Sequence, residues 1–340
     1  MLKREGKVRQ VQTIWVGHRG MDPEEVLEAR RTIIDSVIRT PLVYSKFFSE
    51  TCGGRVYLKL ENQQVTNSFK IRGALNKMLH LTEEEKKHGL VTASAGNHAQ
   101  AVAIGAEKLN LPVKIVVPKT TPTIKLEKIR THKVEPILHG EIYDEAEKYA
   151  ITLAKRERLT YISAYNDNFV IAGQGTVGLE VLEDLPNVSM IIVPVGGGGL
   201  ISGIGLTVKS SKPNVKIIGV QSEASPVMYE SLKAGRLLDT ELHESIADGI
   251  YGGVEKGSIT FEMIRNYVDD FWLVKEKTIR KAIYLLWKEE KQVVEGSGAV
   301  PVAALLENKH ALTGQIVAAV ISGGNIDEQL FQKVISREGA

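Results

Sequence analysis

Two local patterns in this 340-residue chain carry residue types that could do chemistry. In MIIVPVGGGGLISGIG, residues 190–205, an apolar strand-like run meets Gly196, Gly197, Gly198 and Gly199, and a helical pattern follows. Glycines there let the backbone turn tightly and aim successive N–H groups into one concavity. The positive end of the following helix adds to the same field, so the loop suits a phosphate. The dinucleotide fingerprint Gly-x-Gly-x-x-Gly fails, because its last position falls on Ile201 or Ser202, and no Gly-Lys-Ser/Thr completes a P-loop. A monophosphate is the better match; for the loop alone, a tight connection with no ligand is the alternative.

The second pattern is LKLENQQVTNSFKIRGA, residues 58–74. Lys70 follows Asn67, Ser68 and Phe69 at the start of an apolar helix. An ammonium near the positive end of a helix is disfavoured, which lowers its pKa and suits it as an amine nucleophile and base. A phosphate seat and a low-pKa lysine together point to pyridoxal 5′-phosphate, whose aldehyde forms a Schiff base with a lysine and whose phosphate needs its own anchor.

The elements that must position these groups alternate along the chain. Asp22–Pro23 opens a helix, with Asp as N-cap and Pro in the first turn. Strands are expected over 56–61, 90–93, 114–118, 133–138, 160–163, 190–195, 215–221, 271–275 and 315–321. Helices are expected over 68–81, 97–110, 122–131, 141–158, 175–185, 200–210, 226–234, 278–291 and 298–309. The strands are rich in Val and Ile with few alternating polar residues, as in parallel sheets covered by helices on both faces. Two βα runs, 86–163 and 186–321, imply two α/β domains, with a crossing near Tyr165–Asn168. The first 20 residues show no clear periodicity and read as a loose arm.

Composition excludes several classes. Hydrophobic residues at 43% and charged residues at 25% are those of a globular protein and argue against disorder or a coiled coil. With 43 Lys and Arg against 41 Asp and Glu, the net charge of +2 makes no electrostatic case for nucleic acid or a membrane surface. Cys52 is the only cysteine, so no internal disulfide is possible and a cytoplasmic setting is expected. No apolar run of signal-peptide or membrane-span length is seen.

Six motifs occur in one order: NSFKIRGA (67–74), TASAGNHAQAVA (92–103), IAGQGT (171–176), VPVGGGG (193–199), IADG (246–249) and ISGGN (321–325). On these, the chain resembles the fold-type II pyridoxal-phosphate enzymes over residues 22–330, most closely the catabolic-type threonine/serine dehydratases, with serine racemase next. The resemblance implies an α/β fold like the tryptophan synthase β chain, with two three-layer domains built on parallel sheets. Residues 1–82 and 167–340 would form a large cofactor-binding domain, and residues 83–166 a small mobile one. Lys70 would carry the cofactor and act as catalytic base. Phe69 would pack against the ring, Gly196–Gly199 would cradle the phosphate, Asn97 would bond the 3-hydroxyl and Ser322 would face the pyridine nitrogen. Ser94, Ala95, Gly96, Asn97 and His98 would hold the substrate carboxylate. Taken alone, Asn97 is an ordinary helix N-cap, His98 a helix-start residue with a local bond, and Ser322 a loop hydroxyl. Glu295 reads equally as a ring-edge group or a solvated helix-leading carboxylate.

The implied reaction is β-elimination on L-threonine or L-serine, giving 2-oxobutanoate or pyruvate plus ammonia. Family variants act instead on 3-hydroxyaspartate, phenylserine or hydroxyectoine-derived compounds. The partner implied is a small amino acid, and the assembly a homodimer or homotetramer. The racemase reading needs a serine where this chain has Ala95. Its acidic metal-site positions fall on Gln221 and Val227, and Glu223 alone makes a poor divalent-metal site, so no metal is expected. A non-catalytic phosphate-binding α/β protein would explain the glycine loop but not Lys70, Asn97 and Ser322 in matching frames. The 15 residues after Asn325 read as one short helix, which implies a dehydratase insensitive to isoleucine.

Overall fold

The computed structural model describes residues 20–339. The loose arm expected at the N-terminus, and with it the beginning of the 1–82 segment, lies outside the described residues except for Gly20. The chain enters through α1 (Pro23–Ile33), whose N-cap Asp22 closes a capping box with Glu25. Then come β1 (Leu42–Tyr44), α2 (Lys46–Cys52), β2 (Arg55–Leu60) and α3 (Lys70–Leu79). A βα run follows: α4 (Glu83–His88), β3 (Leu90–Ala93), α5 (Asn97–Leu109), β4 (Val113–Val117), α6 (Thr123–Arg130), β5 (Ile137–Leu138), α7 (Tyr143–Glu157) and β6 (Thr160–Tyr161). The chain returns through α8 (Asn168–Asp184), β7 (Met190–Pro194), α9 (Gly199–Ser211), β8 (Lys216–Ser222), α10 (Val227–Ala234) and α11 (Ile259–Tyr267). It ends with β9 (Asp270–Val274), α12 (Glu276–Glu290), α13 (Gly296–Glu307), β10 (Ile316–Ile321) and α14 (Glu328–Glu338).

The strands form two sheets. One has six strands in the order β1-β2-β10-β7-β8-β9, and the other four in the order β5-β4-β3-β6. Every pairing is parallel except β1 with β2, where Val43 faces Leu58. Helices cover both faces of each sheet, giving the expected three layers. Residues of α12 and α13 such as Ile283 and Val302 pack on one face of the six-stranded sheet, and α8 and α9 supply Val181 and Ile204 to the other. In the four-stranded sheet, α3 and α5 pack on one face through Ile71, Met78 and Val102, while Ala150 and Leu153 of α7 pack on the other. The lysine-bearing helix therefore shares a core with the small sheet.

The differences from the sequence pattern have local causes. The expected strand 133–138 shrinks to Ile137–Leu138, because Lys133 takes a left-handed φ of 60° and the stretch before Ile137 pairs with nothing. Helix α8 begins at Asn168 rather than 175; Asp167 caps it by accepting from the Val170 N–H. Glycines in IAGQGT argue against a helix by propensity, but packing on both flanks outweighs that term. Short α2 and α4, strand β1, and α11 were not expected from periodicity.

Parallel pairing puts the carboxyl ends of β2, β10 and β7 side by side at one edge of the six-stranded sheet. The segments leaving those ends are 61–69, 322–325 and 195–199. In sheets of this kind ligands bind outside the carboxyl ends of the strands.

Candidate active site

Lys70 is the first residue of α3. Its Nζ donates to the Ala164 carbonyl at 3.1 Å and lies 5.1 Å from the centroid of the Phe69 ring. The residue as a whole keeps some contact with solvent, but burial of the amine pushes its pKa down to about 8, with Glu295 partly opposing the shift. Burial is the largest cause of the lowered value.

The segment before Lys70 is clasped by the ISGGN loop. Phe69 N–H donates to the Ser322 carbonyl at 3.1 Å, Gly324 N–H donates to the Asn67 carbonyl at 2.8 Å, and Asn325 Nδ2 donates to the Thr66 carbonyl at 2.9 Å. Ser322 is buried, and its hydroxyl has no hydrogen-bond partner among the described residues. Asn97 comes in from the other sheet. Gly96 is the N-cap of α5 and Asn97 its first residue, so the simple N-cap reading of Asn97 does not hold. Its side chain is held at both ends: Nδ2 donates to Glu295 Oε1 at 2.6 Å, and Oδ1 accepts from Asn325 Nδ2 at 2.8 Å.

Glu295 leads α13 but is not solvated; it is 6% exposed. Burial raises its pKa to about 7, Asp248 adds to the rise, and the bond from Asn97 opposes it. Asp248 in turn pairs with Lys125 of α6 at 2.8 Å, a link between the helix over the small sheet and the IADG loop. Periodicity gave no sign of this pair or of the Asn97–Asn325 bond, because each joins residues more than 120 positions apart.

The Gly196–Gly199 loop leaves β7 and enters α9. Gly198 has a φ of 89°, a left-handed conformation that favours glycine. A Cβ on Gly197 would overlap the Tyr165 ring. The N–H groups of Gly196, Gly197 and Gly198 donate to no acceptor among the described residues, at the positive end of a 13-residue helix. The second helix end at the site, that of α5, is similar: the N–H groups of Ala95, Asn97 and His98 have no acceptor among the described residues. Ser94 Oγ accepts from Gly96 N–H at 3.2 Å, and a Cβ on Gly96 would meet nothing within 4 Å. His98 turns inward. It is 3% exposed, its Nε2 stands 3.0 Å from the Ile162 carbonyl, and burial drives its pKa down to about 3. A neutral imidazole in that position is a donor to the β6 end.

Comparison with known proteins bears on what these groups hold. The profile of the pyridoxal-phosphate-dependent enzymes matches residues 33–323. The chain belongs to the pyridoxal-phosphate-dependent enzyme family. The enzyme is 49% identical over 315 residues to the L-threonine ammonia-lyase of Thermotoga maritima, covering 92% of this chain and 78% of that one. It is 44% identical over 307 residues to the L-threonine dehydratase catabolic TdcB of Staphylococcus aureus, covering 89% and 88%. Among solved structures, maize serine racemase superposes with a TM-score of 0.87 at 31% identity, covering 93% of this chain and 97% of that one.

The residues present fit pyridoxal 5′-phosphate. Unpartnered amides at the α9 end suit the phosphate, a buried low-pKa amine suits the aldehyde, and the free Ser322 hydroxyl can meet a ring nitrogen. Gln221 and Val227 are both buried, and Gln221 Oε1 accepts from the Tyr229 N–H at 3.0 Å. No group of three or more His, Cys, Asp or Glu suited to a metal occurs among the described residues.

The amine gives a pH test. Only neutral Nζ attacks an aldehyde, so capture of added cofactor by apoenzyme should speed up about tenfold per pH unit below the pKa and level off above it. The break is expected near pH 8. Stopped-flow absorbance checks this; a rate that keeps climbing toward the ordinary lysine range would show that the amine is not shifted.

Proposed function

We propose that the enzyme deaminates L-threonine, and L-serine as a second substrate, by β-elimination to the 2-oxo acid and ammonia. The observation that carries this is the Lys70 amine beside two helix ends with unpartnered amides, one suited to the cofactor's phosphate and the other to a carboxylate. Both curated relatives described above bear names that specify threonine.

When bound, pyridoxal 5′-phosphate supplies an aldehyde carbon that takes an amino group and a ring that withdraws electrons from the substrate's α-carbon. The Gly196–Gly198 amides would hold its phosphate dianion through N–H donors. Phe69 packs at the ring and Asn97, clamped by Glu295 and Asn325, presents its remaining amide proton to the 3-hydroxyl. Ser322 offers the ring nitrogen a neutral hydroxyl, which stabilises a protonated ring less than a carboxylate does and so favours loss of the β-group. The Ser94–His98 segment receives the substrate carboxylate at the α5 end, through the Ala95, Asn97 and His98 amides, with Gly96 leaving room for it. Lys70 Nζ, as a neutral amine beside the substrate, would take the α-proton as general base. Loss of the α-proton to Lys70 and of hydroxide from the β-carbon together eliminate one water. The released enamino acid picks up a proton at carbon and is hydrolysed to the 2-oxo acid and ammonium.

The remaining calls belong to the same reading. The 83–166 unit moves against the rest of the chain along its packed contact with α3, and the Lys125–Asp248 pair ties it to the IADG loop. The enzyme works as a homodimer or homotetramer, supported by the exposed Val43 and Tyr44 on edge strand β1. A cytoplasmic setting is supported by the single buried cysteine, Cys52. No helix among the described residues is long and apolar enough to cross a membrane.

A racemase reading is favoured by the superposition on maize serine racemase, but it needs an acid on the face opposite Lys70, and Ala95 supplies none. The deciding experiment is a 2-oxo acid assay across L-threonine, L-serine, 3-hydroxyaspartate and phenylserine, with chiral chromatography of the serine reaction. Release of 2-oxobutanoate with little D-serine is expected; substantial D-serine from the unmutated enzyme would overturn the reading. Ala95→Ser places a hydroxyl on the face opposite Lys70 and should add a small yield of D-serine at the expense of elimination.

A further inference from the structure

Arg72 stands two residues beyond Lys70 and faces away from the ligand seat into the interior, 0% exposed. Its guanidinium uses all its donors. Nε and Nη2 donate to the two Glu61 oxygens, each at 2.8 Å, and Nη1 and Nη2 donate to the two Glu180 oxygens at 2.7 and 2.9 Å. The remaining bonds go to Thr176 Oγ1 and the Ile38 carbonyl. Lys59 completes the set by donating to Glu180 Oε2 at 2.5 Å and to the Thr40 carbonyl at 2.7 Å. Two cations and two anions, all buried, thus join the end of β2, the first turn of α3 and the C-terminal third of α8.

A second, steric observation brings α8 to the same place. The IAGQG stretch of α8 touches both site-bearing helices backbone to backbone. A Cβ on Gly173 would fall 2.6 Å from the Arg72 carbonyl oxygen and 2.7 Å from Gly73 Cα, in the first turn of α3. On the other flank, a Cβ on Gly203 in α9 would overlap the Ile171 carbonyl and fall 2.6 Å from the Gly175 nitrogen. Thr207 Oγ1 donates to the Gly203 and Gly175 carbonyls at 2.9 and 3.2 Å. Helix α8 is therefore the shared support of the helix that begins with Lys70 and the helix that begins with the phosphate seat.

We propose that Arg72 is a positioning residue: through Glu180 and the α8 backbone it fixes the separation between the Lys70 amine and the Gly196–Gly199 seat. This rests on the assignment of Lys70 and the glycine loop made above. The effect is one of place and not of field. Arg72 is neutralised by its two carboxylates, and the shift of the Lys70 amine is accounted for by burial and Glu295. An amine displaced from its productive position by a fraction of an ångström loses much of its advantage, on the order of 100-fold per 1 Å.

The test compares two ligands on the apoenzyme. Pyridoxal 5′-phosphate carries both the phosphate and the aldehyde, which condenses with Nζ and releases water. 4-Deoxypyridoxine 5′-phosphate keeps the phosphate and ring but has no aldehyde. Arg72→Lys keeps one positive charge but cannot bond both carboxylates in pairs. It should weaken the aldehyde ligand about tenfold or more and the deoxy ligand less than about twofold, with the pH midpoint of capture unchanged. Gly173→Ala displaces α3 by a separate route and should give the same split, so the proposal remains testable if Arg72→Lys does not fold. Equal losses for both ligands, or a shifted pH midpoint with unchanged affinity, would overturn it. Lys70→Ala separates this from the underlying assignment. It should erase the preference for the aldehyde ligand; if the preference survives, the assignment of Lys70 itself fails.

Discussion

Lys70→Ala is expected to lose 2-oxo acid release by at least ~10⁴-fold, because in the function proposed above one amine serves as covalent anchor and general base. The fold should persist. Lys70 is the first residue of α3, where alanine suits the helix, and its single hydrogen bond is to the Ala164 carbonyl. The variant should still hold the cofactor through the Gly196–Gly198 amides, without the covalent bond. Borohydride treatment followed by mass measurement checks this directly: the wild-type chain should gain the mass of the reduced cofactor and the variant should not. Wild-type turnover in the variant would sink the assignment of the site.

Arg72→Ala should produce the largest loss of stability. Removing the guanidinium leaves Glu61 and Glu180 buried without their main partner, a change that costs about 3–5 kcal/mol. Denaturant unfolding of the apoenzyme measures it. Acid should act in a particular direction as well. Burial pushes the Glu61 pKa up, and Arg72, with Lys59 and Thr40, more than reverses this, holding the carboxyl below its ordinary value. A carboxylate so depressed stabilises the fold above its unfolded pKa, and the contribution is lost as pH falls through the folded value. Without Arg72 that contribution goes, and the acid limb of unfolding should move to higher pH. A variant with wild-type stability and an unmoved acid limb would show that the buried network contributes nothing net.

Much of this was legible in the sequence, for identifiable reasons. Strands such as Met190–Pro194 and Ile316–Ile321 are buried on both faces, so their unbroken apolar character marks them. The glycine loop and the lysine frame are local patterns, and each lies where the chain suggests. What escaped was tertiary. Helix α8 starts seven residues early because packing against α3 and α9 overrides the glycine propensities. The buried state of Glu295 depends on Asn97, 198 positions away, and nothing in VVEGSGA separates it from a solvated helix-leading carboxylate. The Lys70 pKa is lowered, as its place at a helix start predicts, and the largest cause is burial beneath segments that lie far off in sequence.

The clasp between residues 66–69 and 322–325 also constrains the order in which this enzyme can mature. Strand β2 is central to the sheet only because β10 lies beside it, with Leu60 opposite Ile321. These partners are among the most widely separated in the chain, and such closures are slow and come late in folding. Until β10 docks, the Phe69 N–H lacks the Ser322 carbonyl and Asn97 lacks Asn325, so a nascent chain that already displays Lys70 and the glycine loop would still lack the ring seat proposed above. Cofactor capture should thereby report on this long-range pairing: a chain that acquires the colour of bound pyridoxal phosphate is expected to have brought its two distant ends of sheet together.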